Sequence, residues 1–145
     1  MNTSTRPMER TEPTATKQIR VLVVEDDTEM RYAIREFLTM TGMQVDSVSN
    51  GKDAIQVLDR NAYHAVVCDF RLPGATGLDV VRAVHTSSLL GSYGSGPKVI
   101  LITAYPDWKV LQEAREAGAY CLLRKPLDLL QLGDLVRRAA GELRV

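Results

Sequence analysis

A chain of 145 residues is long enough for one domain with one sizeable core and too short for two ordinary ones. Hydrophobic residues at 45% and charged residues at 25% match a soluble globular protein, and a formal net charge of zero offers nothing that would draw nucleic acid or an anionic membrane. No apolar stretch approaches membrane-spanning length, and the opening MNTSTRPMERTEPTATKQ lacks a signal peptide's apolar block, so the expectation is a cytoplasmic protein with no membrane contact.

Residues 1–18 are rich in Thr, Pro, Glu and Arg with almost no large apolar side chains, which predicts a disordered tail ahead of a domain over 19–145. The run 19–24 (IRVLVV) reads as a strand. A helix over 28–41 follows, with Met30, Ala33, Ile34, Phe37 and Leu38 at helical spacing and Gly42 as its stop. Residues 44–48 (QVDSV) form the next strand, and 51–60 a helix with Ser49 and Asn50 placed to cap it. Then come a strand at 64–68 (HAVVC) and a helix over 77–87, with Thr76 at the capping position. The stretch 88–97 (SLLGSYGSGP) is a surface loop whose glycines lack the spacing of a phosphate-binding fingerprint. A strand at 98–102 (KVILI) leads to a helix over 106–117, opened by Pro106 and stopped at Gly118. The last pair is a strand at 119–123 (AYCLL) and a helix over 128–143 behind Asp128 as N-cap.

Several strands are continuous apolar runs, as when a parallel sheet is covered on both faces. Five strands alternating with five helices predict an α/β, doubly wound five-stranded parallel sheet, and right-handed crossovers favour the order 2-1-3-4-5. Ligands in such sheets bind beyond the carboxyl ends of the strands. The first strand ends in Glu25-Asp26-Asp27, the third in Asp69, the fourth in Thr103, and the fifth runs into Arg124-Lys125-Pro126. Carboxylates from adjacent strands make a hard oxygen site suited to Mg²⁺. A hydroxyl and an ammonium beside them would hold phosphoryl oxygens, and an aspartate among them can act as nucleophile. By contrast Cys68, Cys121, His64 and His85 are scattered and build no zinc site without carboxylate help. Trp108, Tyr105 and Tyr120 have no basic patch beside them that would make a base-stacking platform.

The acidic pair Glu25-Asp26 after VLVV, Asp69 in CDFRLPGATG, Thr103-Ala104 after VILI, and Lys125-Pro126 occur in order at consecutive strand ends. From about residue 19 to 143 the chain resembles the receiver domain of two-component response regulators. The resemblance implies that Asp69 is the phosphoacceptor, fed by a sensor histidine kinase or a histidine phosphotransfer protein. It implies Mg²⁺ bound by Asp26 and Asp69, by Glu25 through water, and by the backbone carbonyl of Arg71. Thr103 and Lys125 would contact the phosphoryl group and couple it to a surface read by a downstream protein target, with room for a phosphorylation-dependent homodimer.

One position departs from the family pattern: Leu122 stands where receivers usually carry a Tyr or Phe whose rotamer follows the threonine. Bulky Arg71 and Tyr105 at the mouth of the site suggest a stacked shield over the phosphoryl group. Three functions compete. A phosphorylation switch uses the whole acid, aspartate, threonine and lysine set; an unphosphorylated binding module has no need of it. A phosphohydrolase would need a second aspartate two residues after its nucleophile, where Arg71 stands, so no enzymatic turnover is expected beyond the chain's own phosphorylation and dephosphorylation. The few residues after the last helix leave no room for a DNA-binding domain in this chain, whether it is free-standing or excised from a larger regulator or hybrid kinase.

Overall fold

The computed structural model describes residues 18–86 and 96–141. Its elements alternate without exception: β1 (Arg20–Val24), α1 (Thr28–Met40), β2 (Gln44–Val48), α2 (Gly51–Leu58), β3 (Ala65–Asp69), α3 (Gly77–Thr86), β4 (Lys98–Thr103), α4 (Trp108–Ala117), β5 (Cys121–Arg124) and α5 (Leu129–Ala139). The strands form one sheet in the order β2-β1-β3-β4-β5, every pair parallel. This is the doubly wound α/β architecture the sequence predicts. The expected tail falls outside the described residues except for Gln18, and the loop at 88–97 except for Gly96 and Pro97.

The strands alternate their side chains between two cores, as a period of two requires. Val21, Val23, Ala65, Val67, Ile100 and Ile102 face α1 and α5, where Ile34, Leu38, Leu132 and Val136 close one core. Leu22, Val24, Val66, Cys68, Val99 and Leu101 face the other way, onto Ala54 and Leu58 of α2, Val80, Val81 and Val84 of α3, and Ala114 of α4. Both faces are apolar, so no strand shows a polar period and β3 is buried at all five positions. Cys68 and Cys121 are free thiols within these cores, and burial pushes Cys121 up to about 11.

Helix ends mostly follow the predicted caps. Asn50 accepts from the Asp53 amide and Asp128 from the Gln131 amide. Thr76 and Asp79 bond each other's amides reciprocally at the start of α3. Gly118 ends α4 at φ 97°, in the left-handed region. Two expectations fail locally. Pro106 does not open α4: the Asp107 carboxylate caps the Val110 amide, so the helix starts at Trp108. Residues 119 and 120 do not join the last strand, because the Ala119 amide is taken by the Ala114 carbonyl that closes α4.

Candidate phosphoacceptor site

The sheet ladder continues one step beyond the strands and so fixes the site. The Glu25 amide donates to the Val48 carbonyl at 3.1 Å, Phe70 to Ile102 at 2.8 Å, and Lys125 to Thr103 at 2.8 Å. These bonds set Glu25, Asp69, Thr103 and Lys125 at one edge of the sheet, at the carboxyl ends of β1, β3, β4 and β5. The Lys125–Pro126 peptide bond is cis.

Glu25, Asp69 and Thr103 are buried, with 1%, 6% and 2% of their surface exposed, whereas Asp26 is exposed. Buried carboxylates need partners, and Lys125 supplies them. Its Nζ lies 2.9 Å from Asp69 Oδ2 and 3.5 Å from Glu25 Oε1. Asp69 Oδ1 accepts from the Arg71 amide at 3.1 Å, and Glu25 Oε2 from the Asp27 amide at 3.0 Å. Thr103 Oγ1 accepts from the Tyr105 amide at 3.1 Å, which orients the hydroxyl. Asp27 occupies the N-cap position of α1 but makes no side-chain capping bond, so its role here is to brace Glu25 through its amide.

Burial, with the Asp69 charge adding to it, pushes the Glu25 carboxyl up to about 7 against the bond from the Asp27 amide. Burial alone would lower the Lys125 ammonium; the bond to Asp69 and the two carboxylate charges overcome this and hold it above its usual value. At neutral pH the metal-free site therefore carries a proton shared between its most buried acid and solvent.

One carboxylate oxygen from each of Glu25, Asp26 and Asp69 lies within 4.8 Å of the others. Glu25 Oε1 is buried and accepts no hydrogen bond, its contact with Lys125 being only the longer ion pair. An all-oxygen donor set with an unsatisfied buried oxygen fits a small hard cation such as Mg²⁺.

Across residues 21–137 the chain matches the family described as the response regulator receiver domain. It belongs to that family. It is 32% identical over 122 residues to the C4-dicarboxylate transport transcriptional regulatory protein DctD of Pseudomonas aeruginosa, a match covering 84% of this chain and 25% of that protein. The chain thus spans about a quarter of that regulator's length. Against sporulation initiation phosphotransferase F of Bacillus subtilis it is 25% identical, covering 82% of this chain and 91% of that one. Among solved structures, the receiver domain of the sensor histidine kinase PA1611 of P. aeruginosa superposes with a TM-score of 0.75 at 26% identity, covering 86% and 99% of the two chains. That structure is described with a magnesium ion coordinated in its active-site cleft. This receiver domain is accordingly a phosphoacceptor signalling switch.

The residues singled out in the sequence come together, apart from three surrounding expectations. Arg71 and Tyr105 are both exposed and no cation–π contact joins them; the cation–π contact among the described residues is Arg20 over Tyr63, 5.1 Å from the ring centroid. The shield is therefore not formed. Leu122 packs into the core on the α2–α4 side, while Tyr120 stays 41% exposed and does not replace the missing aromatic there. Arg31, which the helical period places on the outer face of α1, is instead half-buried and folded back, its Nη1 2.8 Å from the Glu25 carbonyl oxygen. Nothing in the spacing signals that reach.

Proposed function

We propose that Asp69 is the phosphoacceptor, that Lys125 and Thr103 hold the arriving phosphoryl group, and that Mg²⁺ is bound by Glu25, Asp26, Asp69 and the backbone carbonyl of Arg71. The observation that carries this reading is the Asp69 carboxylate, buried at the end of the central strand and gripped at 2.9 Å by Lys125, with two further acids within 4.8 Å. An Asp69 oxygen forms a bond to phosphorus while the bond from phosphorus to the donor breaks, and the donor leaves with that electron pair. In a phosphohistidine donor the broken bond is P–N; in acetyl phosphate it is P–O. Bound Mg²⁺ would neutralise charge on the phosphoryl oxygens. Lys125 passes from the Asp69 oxygen to a phosphoryl oxygen, and the Thr103 hydroxyl, already oriented by the Tyr105 amide, donates its proton to another.

The donor in this reading is a sensor histidine kinase or histidine phosphotransfer protein, and the phosphorylated form acts on a downstream protein target in the cytoplasm. No described helix is long and apolar enough to cross a membrane. Incubation with Mg²⁺ and acetyl phosphate should add one phosphoryl mass to the intact protein and none to Asp69→Asn; equal labelling of both would sink the assignment. Chelation of the metal should abolish labelling as well.

Donor docking is proposed on the outer face of α1, where Tyr32 is 62% exposed and Arg35 lies beside it, while Arg31 is committed inward. Replacing Tyr32 and Arg35 together with Ala should slow transfer from the kinase roughly tenfold or more, the loss of one anchoring contact. Labelling by acetyl phosphate should persist. A parallel fall in both rates would place these residues in folding or chemistry instead.

A further inference from the structure

We infer that Arg31 is a positioning residue for the metal-binding turn, holding Glu25 and Asp26 in place from the first helix. This rests on the metal assignment above and adds a residue that lies outside it.

After Val24 the chain leaves the sheet, and the Glu25 carbonyl points away from the ladder that its own amide still joins. A buried carbonyl needs a donor. The bond it receives comes from Arg31 Nη1 at 2.8 Å, across six residues of chain. Three bonds then define the turn: Val48 holds the Glu25 amide, the Asp27 amide holds the Glu25 carboxylate, and Arg31 holds the peptide that joins Glu25 to Asp26. The peptide so held links the two residues that offer carboxylate oxygens from this turn. Without Arg31 that peptide can rotate, and the exposed Asp26 has no other bond among the described contacts to resist it.

Charge acts in the same direction. Glu25, Asp26 and Asp69 face one ammonium, so two negative charges are in excess before a cation arrives. A half-buried guanidinium at the shoulder of the turn lowers the cost of keeping the three acids close. Arg also suits the task chemically, because its charge survives at any working pH and its planar fork loses little freedom per bond.

The test titrates the full-length protein with MgCl₂, following backbone amide NMR shifts of the turn and hydrogen exchange at the Asp27 amide in metal-free buffer. Arg31→Met should raise the half-saturating Mg²⁺ concentration about tenfold, as loss of an outer supporting partner does at metal sites. Asp27 exchange should quicken in the metal-free protein, while the maximal labelling rate at saturating Mg²⁺ stays near wild type. Arg31→Lys should recover most of the affinity, and Arg60→Met, which removes an exposed charge from the end of α2, should change nothing. Unchanged Mg²⁺ half-saturation and unchanged Asp27 exchange in Arg31→Met overturn the inference. So does exchange that rises throughout the domain rather than at the turn. A wild-type protein that shows no response to Mg²⁺ overturns the metal assignment itself and this inference with it.

Discussion

Gly77→Ala is expected to cost both stability and phosphorylation, although it adds a single methyl group to a helix. Gly77 opens α3 directly behind the phosphoacceptor strand. A Cβ there would lie 2.6 Å from the Asp69 carbonyl oxygen, 2.9 Å from Phe70 Cα and 3.1 Å from a Leu101 methyl. Two of these are backbone atoms of the segment carrying Asp69, and the Phe70 amide is tied at 2.8 Å to the Ile102 carbonyl. Either α3 lifts from the sheet or the strand end yields. Overpacking of this kind costs about 1–3 kcal/mol, and here the backbone contacts argue for the upper part. Thermal unfolding should fall by roughly 5–10 °C. Acetyl phosphate labelling should drop as well, because Asp69 must keep its place against Lys125 to react. A variant that melts like wild type and labels at the same rate would show that α3 can slide without cost. Gly51 makes a comparable approach to the Ala75 carbonyl, so the loop after Asp69 is pressed from α2 also.

The second expectation concerns pH. The Glu25 carboxyl is pushed up to about 7 in the folded, metal-free protein from an unfolded value of 4.5. Below 4.5 both states hold the proton. Between 4.5 and about 7 the unfolded chain gives it up while the native site keeps it, so native protein binds more protons and this group's contribution to stability falls as pH rises. Above about 7 the contribution is constant. The full effect is on the order of 3 kcal/mol from the size of the shift. Glu25→Gln should remove this slope: measured without metal, it should gain on wild type steadily from pH 5 to pH 7.5. Metal acts in opposition, because it binds the carboxylate and expels the proton. Wild-type Mg²⁺ affinity should therefore rise up to about tenfold per pH unit below the Glu25 value and level off above it. In Glu25→Gln it should be weaker and nearly flat. Parallel pH profiles for the two proteins, with or without Mg²⁺, would remove Glu25 from the account.

The sheet and its order were legible because VLVV, AVVC and VILI are apolar at every position, a pattern that only a strand covered on both faces explains. The acids, Thr103 and Lys125 were legible because a parallel sheet puts each strand's last residue on the same edge. Ends governed by a single competing bond were not. Pro106 suits a first helical turn, yet the Asp107 side chain caps one step later, and both readings satisfy the same local rules. Ala119 continues an apolar run, but a carbonyl of the preceding helix claims its amide. Arg31 was least legible of all. Helical spacing gives the direction of its Cβ, whereas its destination depends on a long side chain curling back to a carbonyl six residues earlier.

The site is divided between the stiffest and the softest parts of the sheet. Asp69 stands on β3, paired on both sides and buried throughout; Lys125 follows β5, an edge strand of four residues that pairs with β4 alone and is half-buried or exposed along its length. Opening free energies follow such differences in burial and pairing, so β5 belongs to a less stable cooperative unit than the centre. The nucleophile is fastened to the part that opens last, and the ammonium answering it to a margin that opens first. Small energies at the phosphoryl group thus become changes in how often one border of the domain comes loose, a signal expressed as local stability.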